Sequence, residues 1–432
     1  MLAYYFPPDG GPGAQRPISF ARHLPAHGVR CTVLTRTPPQ QRNVFEPADT
    51  AALAAVEAAA RIVRAAPAAA LPDVCAAMVA AGDAAIAADR PDCVLATMSP
   101  FPLWRVAHTL ASRHGLPVVY DLRDPWALDG VVDYRSWWHW RRERAEMRAM
   151  LRSADGVVAN TPECRTLFRQ LEPSLGDDRI VAITNGWDRD DFPTPAQPVP
   201  VGARLRLDYG GSFLCRDLYL RERPLRALLG HLRYRPEPIV CSGRTPLHLL
   251  GAIRRLRAAG EAAGSAVQFV AIGQVDDALR RCVAESGVAD AVELAGYRPH
   301  AELAAALRTA DALFLTLHGL PRGHRSRIVP GKAYEYLASG RPILAALPAG
   351  DARDLLDRSP VAFVADATDE VALASQLAAL HGAWRSGMFT TAQPMPGIAA
   401  YERRALAQDL ARFLGQVVAR RQSAAAAARP GA

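Results

Sequence analysis

Lysine is almost missing from this chain: of 51 basic residues only Lys332 is a lysine, and the rest are arginine. That bias, like the alanine excess, follows genome composition. A compact ammonium standing alone against it hints that Lys332 fills a role the broad guanidinium does not, with chance as the competing reading. Paired cysteines are also missing. Cys31, Cys75, Cys93, Cys164, Cys215, Cys241 and Cys282 are odd in number, scattered and never C-x-x-C. This excludes a disulfide scaffold and a clustered-cysteine zinc site, and leaves buried thiols in a reducing compartment. The long apolar stretches, among them 51–60 and 65–81, are alanine-dominated and broken by Glu, Arg, Pro and Asp. None supplies the roughly 20 strongly apolar residues of a membrane span. No basic leader precedes an apolar run, so a cytoplasmic protein is expected. The formal charge of +8 is moderate, and with one dense basic patch it speaks against a nucleic-acid partner.

At 432 residues the chain exceeds what one core usually supports, so two domains are expected. Short apolar runs alternate with helical patterns, the signature of α/β architecture with parallel sheets. Strands are expected at Leu2–Phe6, Cys31–Thr35, Cys93–Thr97, Val118–Asp121, Gly156–Ala159 and Ile180–Thr184, with helices such as Gln15–His27 and Leu103–His114 between them. Residues 193–203 hold four prolines in eleven positions, a semi-rigid linker. The alternation then restarts at Leu205–Tyr209, Pro238–Cys241, Val267–Ile272, Val292–Leu294, Ala312–Thr316, Pro342–Ala346 and Val361–Val364. The expected fold is two Rossmann-like, doubly wound domains (residues 1–192 and 204–390) facing a central cleft, where ligands bind by preference. A C-terminal helix within 391–421 is expected to pack back on the first domain, and 422–432 reads as a disordered tail.

Five segments suggest chemistry. In the first strand–helix turn, Gly10, Gly11 and Gly13 allow close approach to the backbone, and Arg16 follows on the helix. The strand Val118–Asp121 ends in Leu122-Arg123-Asp124-Pro125-Trp126, which places charge at a carboxyl edge; an internal Arg123–Asp124 ion pair is the plainer alternative. Trp137, Trp138 and Trp140 precede Arg141, Arg142, Arg144, Arg148 and Arg152. Rings beside guanidinium groups suit an anionic lipid headgroup layer, while Trp137, Trp140, Met147 and Leu151 at helical spacing also suit a core stripe. In the second half, Tyr209-Gly210-Gly211-Ser212 is followed by Arg216, Arg221 and Arg223, a glycine turn with groups able to grip a diphosphate. Finally, Pro330 and Gly331 open a helix that Gly340 closes. Lys332 and Glu335 share its first turns, so amides and ammonium could hold phosphate while Glu335 accepts from hydroxyls. A plain Lys332–Glu335 surface pair is the competing reading.

These pieces, in their order, resemble the family-4-type retaining glycosyltransferases of the two-domain GT-B fold, over roughly residues 2–385. The resemblance rests on Tyr4–Arg16, Tyr120–Trp126, Ala154–Thr161, Ile183–Phe192, Tyr209–Ser212, Gly296–Glu302, Ala310–Asp311 and Pro330–Ala345. It implies a nucleotide-sugar donor in the C-terminal domain, near Gly211, Ser212, Arg216, Arg223, Pro330, Gly331, Lys332 and Glu335. It implies a saccharide or lipid-linked acceptor in the N-terminal domain, near Gly10, Gly11, Gly13, Arg16 and Asn185. Glu335 matches the second glutamate of the family's E-x7-E motif, and Arg327 stands where the first would fall. Arg123 stands where many relatives carry a histidine, with Asp124 beside it. The implied mechanism is front-face transfer with retention, assisted by the leaving diphosphate, with Arg123, Asp124 and Lys332 at the reaction and no metal or other cofactor. Surface polysaccharide or glycolipid synthesis is the implied setting. Peripheral contact with the inner face of the cytoplasmic membrane would run through Trp137, Trp138, Trp140, Arg141 and Arg142. A nucleotide-sugar epimerase of the same fold and a non-catalytic binding protein are the alternatives; a nicotinamide oxidoreductase lacks its G-x-G-x-x-G fingerprint.

Overall fold

The computed structural model describes residues 1–38, 50–193, 198–215, 218 and 233–427. Two compact units emerge. The first comprises Met1–Leu128, Arg141–Asn185 and Ala400–Ala432, and the second Asp129–Trp140 and Gly186–Ala399.

The first unit is built on seven parallel strands: β1 (Leu2–Ala3), β2 (Thr32–Thr35), β3 (Arg61–Arg64), β4 (Val94–Met98), β5 (Val118–Leu122), β6 (Gly156–Ala159) and β7 (Ile180–Ala182). Their order, β3-β2-β1-β4-β5-β6-β7, reverses between β1 and β4. Alternate residues of a strand serve opposite faces, and both faces here are covered. Val118, Tyr120 and Leu122 of β5, with Val157 and Ala159 of β6, join the core beneath the helices Leu71–Ala88, Leu103–His114 and Trp137–Ser153. Val119 and Val158 point the other way, onto Phe20 and Leu24 and onto Leu406, Leu410, Phe413, Leu414 and Val417 of the helix Arg403–Ala427.

The second unit carries β8 (Leu205–Gly210), β9 (Val267–Ile272), β10 (Val292–Gly296), β11 (Ala312–Thr316), β12 (Ile343–Ala346) and β13 (Ala362–Ala365). All are parallel, in the order β10-β9-β8-β11-β12-β13, which reverses between β8 and β11. Leu205, Leu207 and Tyr209 alternate with the residues facing the opposite side and pack with Phe269 and Phe314 under the helices Leu247–Ala258 and Glu370–Arg385. Both units are therefore doubly wound, Rossmann-like α/β folds.

Several expectations need correction. The segment Pro238–Cys241 adds no strand to the sheet. Val240 makes a two-bond antiparallel bridge to Gly319 and the chain then turns through a 3-10 segment, Cys241–Arg244; Pro238 has no N–H to give a ladder. Strand β3 was hidden between alanine runs. Its Arg-Ile-Val-Arg sequence carries charge at both ends, as edge strands do. Gly186–Phe192 belongs with the second unit: Trp187 donates to the Ile398 carbonyl at 2.9 Å, and His300 meets Asp191 at 2.9 Å. Part of the expected linker, 194–197, and residues 428–432 lie outside the described residues. The last helix continues to Ala427, into the expected disordered tail, because an alanine run has the highest helix propensity. The helix Leu71–Ala88 does reach spanning length, with mean hydropathy 1.5. Val74, Met78, Gly82 and Ile86, at helical spacing, are buried in the first unit, and Asp83 pairs with Arg113 and His114. It has one core face.

Candidate functional site

In each unit several of the expected residues, among the described ones, follow the carboxyl ends of strands next to the point where strand order reverses, which is where open α/β sheets bind ligands. In the first unit, Gly11 takes φ 85° as the N-cap of the helix Pro12–His23, a conformation that favours glycine. Arg16, expected to face a ligand, is 6% exposed and fully engaged inside. Its Nε and Nη2 grip Asp121 at 2.6–3.0 Å, and Nη1 and Nη2 donate to the carbonyls of Thr184 and Ile183. Arg16 thus ties the first helix to the ends of β5 and β7, and its role is to shape the edge. Asn185 follows directly and is half-buried.

Arg123 does not pair with Asp124. Its Nη1 donates to the Gly13 carbonyl and its Nε to the Met98 carbonyl at 3.2 Å. Burial lowers its pKa, partly offset by Asp124 and Asp121. The guanidinium therefore fixes the glycine turn against the end of β4. Asp124, half-buried beside it, has no hydrogen-bond or ion-pair partner among the described residues. Sequence gave no warning of the backbone around it. Ser99 (φ 143°) and Trp126 (φ 47°) are the positive-φ non-glycine residues among the described positions. They follow β4 and β5. Such strain persists where surroundings over-determine it, and it collects at functional sites. Trp126 is held by stacking on Phe101 at 4.9 Å and by donating to Glu143 at 2.7 Å.

In the second unit, β8 ends in the turn Gly210-Gly211-Ser212. Gly211 takes φ 122° and donates to the Ile272 carbonyl at 2.8 Å. Pro330 caps the helix Gly331–Ser339, and Gly340 ends it at φ 67°. Lys332 lies with its Nζ 3.9 Å above the Tyr209 ring, and a methyl group at Gly211 would come within 2.6 Å of that Nζ. The Tyr209 ring is itself stacked on Phe213 at 3.9 Å. No carboxylate lies within ion-pair reach of Lys332 among the described residues, so it is not paired with Glu335. Glu335 sits half-buried one turn further on. The structure thus brings Gly211 and Lys332 together at the start of one helix. Arg216, Arg221 and Arg223 lie outside the described residues.

Three features were not anticipated. Tyr209 is the platform under the lone ammonium, although that segment drew attention for its glycines. Arg327 forms an ion pair with Glu237, so a carboxylate is supplied from elsewhere in the sequence. His318, just past β11, is 3% exposed, and its Nδ1 has no hydrogen-bond partner among the described residues. Burial first, then Arg244 and Arg235, push its pKa down to about 4 and keep it neutral. The Thr-Leu-His-Gly sequence after a strand was the only available signal.

Comparison with known proteins adds a separate line. The model for glycosyltransferase family 4 matches residues 15–191, and that for glycosyl transferases group 1 matches residues 239–382. The two halves of this chain are glycosyltransferase domains. Among solved structures, sucrose-phosphate synthase from Thermosynechococcus elongatus is similar with TM-score 0.65 and 15% identity, over 97% of this chain and 98% of that one. Anabaena HepE, solved with UDP and glucose, aligns with TM-score 0.56 and 16% identity, over 99% and 98%. A putative UDP-N-acetylglucosamine 2-epimerase from Listeria monocytogenes aligns with TM-score 0.53 and 13% identity, over 95% and 94%. At such identities these likenesses show the fold, the GT-B arrangement of two Rossmann-like domains in one chain. No curated protein matches the glycosyltransferase in sequence.

Proposed function

We propose that this glycosyltransferase moves a hexosyl group, with retention, from a nucleoside diphosphate sugar to a saccharide or lipid-linked acceptor in surface polysaccharide or glycolipid synthesis. The observation that carries the donor assignment is Lys332. An ammonium with no carboxylate in ion-pair reach among the described residues rests on an aromatic face, against a glycine turn, at the amino end of a helix. Amides and ammonium there complement a diphosphate, and Glu335 would accept hydrogen bonds from donor hydroxyls. Donor binding in this chain is supported by HepE having been solved with UDP and glucose.

In the reaction the bond between the anomeric carbon and the phosphate oxygen breaks as the acceptor oxygen bonds to the same face. The acceptor's hydroxyl proton passes to the departing phosphate. Charge builds on the leaving diphosphate, and Lys332 with the helix amides offsets it. Asp124, a half-buried carboxylate at the edge of the first sheet with no hydrogen-bond or ion-pair partner among the described residues, would orient the acceptor, while Arg123 sets the glycine turn. No metal or other cofactor takes part in this scheme.

The fold is shared with a putative epimerase, so the test must separate the two chemistries. UDP-, GDP- and dTDP-sugars are screened for thermal stabilisation. The stabilising donor is then incubated with and without candidate acceptors, and products are identified by mass spectrometry and anomeric NMR. A retained glycoside formed only with acceptor is expected. A new sugar nucleotide formed without acceptor would make the protein an epimerase. Binding with no turnover on any acceptor would leave a non-catalytic binder.

A further inference from the structure

The helix Trp137–Ser153 has a feature that sugar transfer does not use. Its apolar residues Met147, Met150 and Leu151 are buried. Its two acids are also engaged on the inner side: Glu143 accepts from Trp126 at 2.7 Å, and Glu146 accepts from Trp104 at 2.9 Å and pairs with Arg105 at 2.8 Å. What remains exposed is Trp137, Trp138, His139, Arg141, Arg142, Arg144, Ala145, Arg148, Ala149 and Arg152, with no Asp or Glu. Arg148 and Arg152 share a single acid, Glu172, at 3.0 Å each, so this pair, with Arg142 beside it, carries positive charge beyond its acid.

Trp138 is 74% exposed and Trp137 38%, their rings edge-to-face at 4.7 Å. Trp140 is half-buried, its ring 5.1 Å from Tyr234. It therefore leaves the group expected to touch lipid. Two indoles stand at one end of a rod about 25 Å long, with guanidinium groups along the rest.

We propose that this outward face is a docking surface for an anionic lipid bilayer. Indoles partition into the headgroup layer, where an apolar body and an N–H are both accommodated. Arginines along the helix meet lipid phosphates, each contributing about a fivefold gain in partition near an anionic surface. A helix that inserts into a protein groove would need an apolar stripe along its length. Here the residues between the charges are Ala145 and Ala149, so charge complementarity favours a flat anionic surface. The surface would hold the protein where a lipid-linked acceptor resides, but its binding is measured without any donor. Failure here would leave the sugar-transfer reading standing, and the reverse also holds.

The full chain is co-sedimented with vesicles of equal parts phosphatidylglycerol and phosphatidylcholine, and with phosphatidylcholine alone. Wild type is expected to pellet with the first, to be released by high salt, and to stay in solution with the second. The variant carrying Trp138→Ser, Arg141→Gln and Arg142→Gln should bind at least about 25-fold more weakly, the loss expected from two arginines alone. Its thermal unfolding should match wild type, because all three positions are exposed. Equal pelleting of the variant overturns the proposal, as does equal binding to neutral vesicles. Polyuridylate that binds more tightly than the vesicles and strips the protein from them would make the face a nucleic-acid surface instead.

Discussion

Gly211→Ala perturbs stability and ligand affinity through two separable routes. The backbone there has φ 122°, a region where a side chain costs about 1–3 kcal/mol. The added methyl would lie 2.6 Å from Lys332 Nζ. Because that atom ends a flexible chain, the lysine swings aside rather than straining the core. Its contact with the Tyr209 ring, worth about 0.5–1 kcal/mol at a partly exposed site, goes with it. The ammonium also leaves the place from which it would meet a diphosphate, and a charged hydrogen bond of about 1.5–3 kcal/mol corresponds to roughly 10- to 150-fold in Kd. Lys332→Ala should show the same affinity loss with little change in melting temperature. The double variant should lose no more affinity than either single one, since both remove the same contact. Calorimetric titration with the nucleoside diphosphate chosen by thermal screening, beside urea unfolding, reads both quantities. A Gly211→Ala protein that melts lower yet binds normally, or a double variant whose affinity losses simply add, would refute the placement of Lys332 at the phosphates.

Arg16→Met leaves the Asp121 carboxylate, fully buried, without its partner, and should cost about 3–5 kcal/mol in urea unfolding; a cost under about 1 kcal/mol counts against the clamp. Glu172 is held down from 4.5 to about 2 by its hydrogen bond from Ser174 first and by Arg148 and Arg152 next. Its stabilisation is complete above 4.5 and lost as pH falls toward 2, so Glu172→Gln should flatten the acid slope of stability in that window. His318, with a pKa of about 4 against an ordinary 6.5, stays neutral in the fold while the unfolded chain takes up a proton. Stability contributed this way is full above 6.5 and declines toward 4, and His318→Gln should remove that decline; an unchanged profile between the two values sinks the assignment. Phe413→Ala, opening a hole beside Val119 and Val158, should cost about 3–5 kcal/mol in the same denaturation assay.

The sheets were legible because their strands are buried on both faces and read as continuous apolar runs; Gly156–Ala159, Val267–Ile272 and Ala312–Thr316 emerge with the bounds expected. Edges were less legible. Arg61–Arg64 has the charge of a surface segment, and Pro238–Cys241 has apolar content but spends its hydrogen bonds on Gly319 instead of the sheet. Local chemistry marked Gly211, Lys332 and Gly340, because turns and helix ends write themselves in glycine and proline. It could not reveal that Arg16 and Arg123 turn inward: a guanidinium looks the same in sequence whether it waits for a phosphate or holds Asp121, Gly13 and Met98. Glu237 was invisible for the same reason, being 90 residues from the Arg327 it serves.

That distinction sorts the charged residues of both edges. In the first unit, Arg16 and Arg123 spend their donors on the protein, and Asp124 beside them has no hydrogen-bond or ion-pair partner among the described residues. In the second, Lys332 has an aromatic face beneath it and, among the described residues, no carboxylate in ion-pair reach. Burying a charge without a partner is costly; Asp124 and Lys332 are half-buried, and in the proposed reaction a ligand would complete each of them. The two differ in sign, as the hydroxyl-bearing acceptor and anionic donor of the proposed reaction would require. Exchanging them tests this directly. Asp124→Asn should raise KM for acceptor while leaving nucleotide affinity untouched, and Lys332→Ala should weaken the nucleotide first. If both variants lost only nucleotide binding, the division of labour between the two edges would be wrong.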